Sequence, residues 1–401
     1  MSDRLDRFGD WEPVRSASTS GMVDGMSPVF AGSLNSDRMR VVRRSVRREI
    51  SEIRIRWYQY PYYMEDLRDL FLSMFPGEMP PEDSARFEAL FSSQKSWGTE
   101  SSKTVDPREY SALQLYVSTT GYQWIFRAIN AAFRGEDRSK DSIRLRSAAF
   151  LVELLNIDLF NYILNNKSAA NYCGYVYRGM CVSTQELHNY QRVAVQDISE
   201  RYLSVPLAMV SASTDVDTAL SFALAEADGS RDRHVLLWDI EIAGLAGELV
   251  AFYRTKCPKS VVTSLCAVPI DELSAFPGER EVLLRSPFLQ IIEMVADDSI
   301  HSRRVYRVKA VMLNTNRDHL STIDLSTGPD RMARDLFRTL IRLDHSRVCA
   351  DRATRSGLIQ DAALYRDIAR DTEEALELLG YQDRSRQSDA IEIDGASAAR
   401  E

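Results

Sequence analysis

Two carboxylates stand two positions apart in FPGEREVLL, residues 276–284, at Glu279 and Glu281. The apolar run behind them reads as a strand, whose period of two puts both side chains on one face. Pro277-Gly278 just ahead marks a turn, which predicts a strand head at an edge near solvent. Side-by-side carboxylates repel, so core packing gives no reason for them; a solvated strand face with Arg280 between is the ordinary alternative. Arg178 follows the apolar part of YVYRGM, residues 175–180, as a strand-end guanidinium able to grip a phosphate through a bidentate fork. Gly179 beside it lets the backbone approach a ligand closely. In VSASTDVDTALSFA, residues 210–223, Ser211 and Ser213 alternate to one side of a strand that runs straight into a helix. Thr214 or Asp215 is the expected N-cap. Singly these signals are ordinary, since arginine is abundant here and Ser-rich junctions serve helix capping.

The elements that must carry these residues fall into blocks. From 107 to 165 the apolar spacing is helical, with Leu113, Tyr116, Ile125, Ile129 and Phe133 on recurring turns and Gly121 as an interruption. After residue 170 short apolar runs predict strands at 172–180, 207–213, 234–242, 280–286, 288–297 and 304–313, with one helix at 214–227 among them. Beyond 315 the chain turns helical again: Pro329 opens one helix, and a second ends at Gly380 as a C′ residue. Neither GxGxxG nor GxxxxGK[ST] occurs, and strands do not alternate regularly with helices. Helices followed by strands predict an α+β domain.

Composition narrows the field further. A chain of 401 residues suggests two to three folding units, and 44% hydrophobic with 27% charged residues is ordinary for a soluble globular protein. A net charge of -8 argues against non-specific nucleic-acid binding. The basic residues are lopsided, with 7 Lys and 43 Arg. The five cysteines (173, 181, 257, 266, 349) show no zinc-ligand spacing and do not form a disulfide framework; Cys173 and Cys181 read as small buried residues. The five histidines form no HExxH, so no metal is expected. Asp239 and Glu241 read as the solvent face of their strand. Asn166-Lys167-Ser168 is a sequon that matters only in a secreted chain. The stretch 148–164 carries Glu153 and Asp158, which a membrane span would not hold cheaply, and the start shows no signal peptide. The expectation is a soluble chain with no membrane partner, either cytoplasmic or exported by a non-classical route.

Taken in chain order, the three motifs resemble the arginine–serine–glutamate branch of the mono-ADP-ribosyltransferases, in particular the arginine-specific enzymes with a Glu-x-Glu motif. Tyr177-Arg178-Gly179 is similar to the first motif, and Ser211-Ala212-Ser213 to the second, with Ala219 and Phe222 eight and eleven residues after Ser211. Phe276-Pro277-Gly278-Glu279-Arg280-Glu281-Val282-Leu283 is similar to the third, with Phe288 where the next strand begins. Ala212 departs from the usual Thr, at a position expected to point away from the site. The similarity spans roughly residues 106–315, about half the chain.

The resemblance implies an α+β fold in which a helical N-terminal part packs on a split, mainly antiparallel β-core. It implies NAD as ADP-ribose donor, no metal, and a protein presenting Arg as partner. By motif position Glu281 stabilises the oxocarbenium-like transition state as nicotinamide leaves, and Ser211 holds Glu281 in place. Arg178 anchors the diphosphate, the Gly179 backbone meets the nicotinamide amide, and Ser213 and Phe222 join them around the cofactor. Glu279 orients the acceptor guanidinium and draws off its proton, and Phe276 stacks on it. An NAD glycohydrolase using water, or a non-catalytic NAD-binding module, are the alternatives. The expected organisation is a disordered lead at 1–40, a helical extension at 41–105, the catalytic domain at 106–315, a helical C-terminal extension at 316–381 and a flexible tail at 382–401. The Arg run at 43–48 reads as a solvated helix face, and the flanks read as docking or regulatory elements.

Overall fold

The computed structural model describes residues 166–204, 209–227, 232–258, 266–274, 276–285, 287–297, 304–315 and 328–381, with helical residues among 81–88, 111–117, 129 and 148–163. The lead at 1–40, the Arg run at 43–48 and the tail at 382–401 lie outside the described residues. Two compact units emerge, one drawn from Met1–Gly244 and Thr263–Thr322, the other from Leu245–Val262 and Ile323–Glu401. The second unit therefore takes in a segment from within the expected catalytic stretch.

The first unit is built on one mixed sheet. Its strands are β1 (Gly174–Ser183), β2 (Tyr202–Ser204), β3 (Met209–Ser213), β4 (Arg233–Gly244), β5 (Ala267–Pro269), β6 (Glu281–Arg285), β7 (Phe288–Asp297) and β8 (Val305–Asn314). The spatial order is β2-β7-β8-β4-β1-β3-β6-β5. Only β4 and β8 run parallel; the other neighbours are antiparallel. β1 pairs with β4 along its whole length but with β3 only at Tyr177–Ser213, so the sheet is nearly split there. This is the mainly antiparallel α+β architecture expected.

Both faces of the central strands are covered, which is why HVLLWDI reads as a continuous apolar run. Leu236, Trp238, Ile240 and Ile242 join one core with Val176, Val308 and Ala310. Helix α2 (Thr184–Ala194) adds Leu187, Tyr190 and Val193 to that core, and the Tyr190 ring meets Trp238 edge-on at 5.9 Å. On the opposite face Val235 and Leu237 pack with Ala219, Leu220 and Ala223 of helix α3 (Val216–Ala227). Asp239, in phase with Leu237, is only 8% exposed, so it does not form a solvent face. Among the N-terminal helical residues, α1 (Ser111–Tyr116) is anchored by Asp158, whose carboxylate accepts from the Leu113 N–H at 3.0 Å. Buried Leu151, Val152, Leu155 and Leu159 share the helical stretch that carries Asp158.

Sequence reading missed α2, β2 and β5. The first had a signal, since Ser183 and Glu186 form a reciprocal capping box. The two strands are three residues each, too short for periodicity to register. Cys181 is buried as expected, but Cys173 is exposed.

The second unit consists of α4 (Gly247–Lys256), also unread in the sequence, α5 (Gly328–Arg355) and α6 (Ile359–Glu377). The α5–α6 hairpin turns at Gly357, whose φ of +76° suits a residue without Cβ. Tyr253 of α4 lies against Phe337 of α5, ring centroids 5.0 Å apart. Asp344 of α5 accepts the Ala246 N–H at 2.8 Å and so caps α4, which has no side-chain cap of its own. Gly380 ends α6 with φ +85°, and the Tyr381 N–H returns to the Leu376 carbonyl. No helix of the described residues is long and apolar enough to cross a membrane.

Candidate active site

The split between β1 and β3 opens a cleft of about 300 Å³. Its walls are Tyr177, Arg178 and Gly179 of β1, Ser211 to Ser213 of β3, Thr218, Ala219 and Phe222 of α3, and the two glutamates. Seven of the eight residues singled out in the sequence thus meet at one place. The eighth, Phe276, is half-buried on the loop before Glu279 and does not line the cleft.

Arg178 is not at a strand end. It lies mid-strand opposite Trp238, is 5% exposed, and donates from Nη1 to the Ser211 carbonyl, bridging β1 to β3 where the ladder fails. Gly179 has a requirement of its own. A Cβ there would stand 1.8 Å from the Ala219 carbonyl oxygen and 3.1 Å from the Ala223 Cβ. The glycine and the two alanines therefore let α3 lie directly on β1, which brings Phe222 to the cleft.

Glu281 heads β6 with only 1% of its surface exposed. Ser211 Oγ donates to its Oε1 at 2.6 Å, across the diagonal of the β3–β6 register, where Ser211 stands opposite Leu283 and Ser213 opposite Glu281. Ser274 Oγ donates to the other oxygen, Oε2, at 3.2 Å. Glu279 is equally inward, 3% exposed, but not by strand alternation. It ends a 3₁₀ turn (Pro277–Glu279), and Arg280 follows in the left-handed region at φ +49° before β6 begins. Nor is the pair at an edge near solvent, for β6 lies between β3 and β5.

Ser213 fixes this turn. Its Oγ donates to the Glu279 carbonyl at 2.6 Å and accepts the Asp215 N–H at 2.9 Å, joining the glutamate loop to the start of α3. Asp215 is the capping residue, its carboxylate accepting from the Asp217 and Thr218 N–H groups. Ala212 is buried in the core, pointing as expected away from the serines' face.

Two residues beside the site were not read from the sequence. Ser274 was hidden in a loop, although a serine two residues before Phe276 is a local turn signal: its Oγ accepts the Phe276 N–H at 3.2 Å. The Asp271 carboxyl is pushed above its ordinary range, first by burial, then by the negative Glu281 and Glu272, while its own backbone N–H and Arg280 pull it down. Among the described residues no group of three or more His, Cys, Asp or Glu is placed to hold a metal ion.

No family model matches the chain, and no curated protein matches it. Solved structures do. The Vis toxin, an ADP-ribosyltransferase from Vibrio splendidus, is similar at 14% identity over 58% of this chain and 86% of that one, with a TM-score of 0.32. The ADP-ribosyltransferase HopU1 of Pseudomonas syringae pv. tomato DC3000 is similar at 15% identity over 52% and 78%, TM-score 0.30. The type III effector XopAI from Xanthomonas axonopodis pv. citri is similar at 11% identity over 68% and 99%, TM-score 0.33. At such identities and TM-scores the functional reading rests on the side chains of the cleft.

Proposed function

We propose that the chain is a mono-ADP-ribosyltransferase that moves ADP-ribose from NAD to an arginine side chain of a protein and releases nicotinamide. The observation that carries this reading is the buried Glu281 carboxylate, held by the Ser211 hydroxyl at 2.6 Å in a cleft that also takes in Arg178 and Glu279. The catalytic stretch is 106–315, less the segment that joins the helical second unit.

Breaking the bond between nicotinamide and ribose builds positive charge on the sugar. A carboxylate already fixed beside that charge, in a site shielded from water, stabilises it without reorganising. Glu281 takes that role. Arg178 receives the diphosphate, the Gly179 backbone the nicotinamide amide, and Ser213 and Phe222 the nucleotide around them. An acceptor guanidinium, with a pKa above about 12, is a poor nucleophile until its proton is removed. Glu279 orients it and accepts that proton as the nitrogen attacks the ribose carbon. Nicotinamide leaves as a neutral molecule with the bonding pair. Phe276, on the loop that leads into Glu279, offers a ring on which the acceptor stacks.

The test is purified protein with labelled NAD, with and without agmatine as a small guanidinium acceptor, following nicotinamide release and labelled agmatine together. Labelled agmatine is the expected result. Nicotinamide release with no labelled acceptor would instead make the chain an NAD glycohydrolase. NAD binding with neither product would make it a binding module.

A further inference from the structure

Glu281 is gripped at both of its oxygens, and only one grip is part of the three motifs. Ser211 Oγ donates to Oε1 at 2.6 Å from β3, and Ser274 Oγ donates to Oε2 at 3.2 Å from the loop after β5. Ser274 is buried, 8% exposed, and its place is set by the backbone of Glu281 itself. The Ile270 N–H donates to the Glu281 carbonyl at 2.9 Å, and the Ser274 N–H donates to the Ile270 carbonyl at 3.0 Å. One turn of chain thus leaves the Glu281 main chain and returns a hydroxyl to its side chain.

The last torsion of a glutamate is broad and soft. A single hydrogen bond to one oxygen leaves the carboxylate free to turn about it, while bonds from opposite sides to both oxygens fix its plane. The Ser274 hydroxyl also accepts the Phe276 N–H at 3.2 Å. That contact ties the carboxylate to the loop carrying Phe276 and Glu279, and the Glu279 N–H closes back on the Phe276 carbonyl at 3.0 Å.

We infer that Ser274 is a positioning residue for Glu281, completing a two-hydroxyl clamp and coupling the carboxylate that cleaves NAD to the loop that receives the acceptor. The inference rests on the function proposed above. It does not touch substrate binding, so its signature lies in turnover rather than in affinity.

Nicotinamide release and agmatine labelling are measured for the wild type, Ser274→Ala, Ser274→Thr and Glu281→Gln. Ser274→Ala should lower kcat about tenfold with and without agmatine, leaving KM for NAD within about twofold, since a hydrogen bond to a charged group is lost. Ser274→Thr, which keeps the hydroxyl, should return kcat to within about threefold of wild type. Should Ser274→Ala not fold, the near-isosteric Ser274→Cys carries the same comparison, because its thiol is a weak donor. An unchanged kcat in the variant, a loss confined to KM, or a Thr variant as slow as the Ala variant overturns the inference alone. A wild type that releases no nicotinamide overturns the proposed function, and this inference with it.

Discussion

Gly179 and Ala219 are in such close register that a methyl group on the glycine would lie 1.8 Å from the alanine's carbonyl oxygen. A backbone atom cannot swing aside as a side chain can, so the helix itself must move. Gly179→Ala should therefore push α3 off β1, costing roughly 3 kcal/mol of stability or more, with NAD cleavage lost alongside. Denaturant unfolding measures the first and nicotinamide release the second. A variant as stable and active as wild type would show that the contact yields easily.

The two glutamates share a cleft but are held in different ways, one on a strand and one on a turn. Glu281→Gln should abolish nicotinamide release as well as transfer, by about a hundredfold or more, because the developing positive charge loses its counter-charge. Glu279→Gln should remove agmatine labelling yet retain most of the nicotinamide release. Equal loss of both products in the Glu279 variant would contradict a separate role in handling the acceptor.

Arg178 is buried between two strands and bonded to the Ser211 carbonyl. A lysine offers one point charge where the guanidinium offers a planar fork. Arg178→Lys should raise KM for NAD about tenfold with a smaller change in kcat, read from initial rates over a range of NAD concentration. An unaltered KM would detach this residue from nucleotide binding.

Asp158 gives a pH dependence with a definite sign. Burial pushes its carboxyl from 3.8 up to about 7, against the pull of the Leu113 and Ala112 N–H groups. Between about pH 4 and 7 the unfolded chain gives up this proton while the folded chain keeps it. The residue's contribution to stability is therefore fully present at lower pH and falls as pH rises through that window. Asp158→Asn keeps an acceptor for the Leu113 N–H and has nothing to titrate. Relative to wild type it should gain about 2 kcal/mol between pH 5 and 7, seen as diverging Tm curves. Parallel curves would dismiss the idea.

Local sequence was enough to set out much of this protein. Strands with unbroken apolar runs, a helix cap at Thr214 or Asp215, the glycine end of α6 and the α+β order follow from neighbours a few residues apart, where propensity and periodicity act. The same holds for the three motifs, since residue type and short spacing survive in the chain whatever its packing. What local spacing could not supply was how the motifs reach one another. Period-two alternation put Glu279 on a strand face, whereas a 3₁₀ turn and a left-handed Arg280 aim it inward. Gly179 also serves a packing contact that its place beside Arg178 did not announce, since the space a Cβ would need is filled by the Ala219 carbonyl of α3. The clamp by Ser274 and the anchoring of the Leu113 N–H by Asp158 join residues through loops and helices folded back on themselves. Such partners are chosen by three-dimensional packing and by the need to satisfy buried polar groups, and neither leaves a period in the chain.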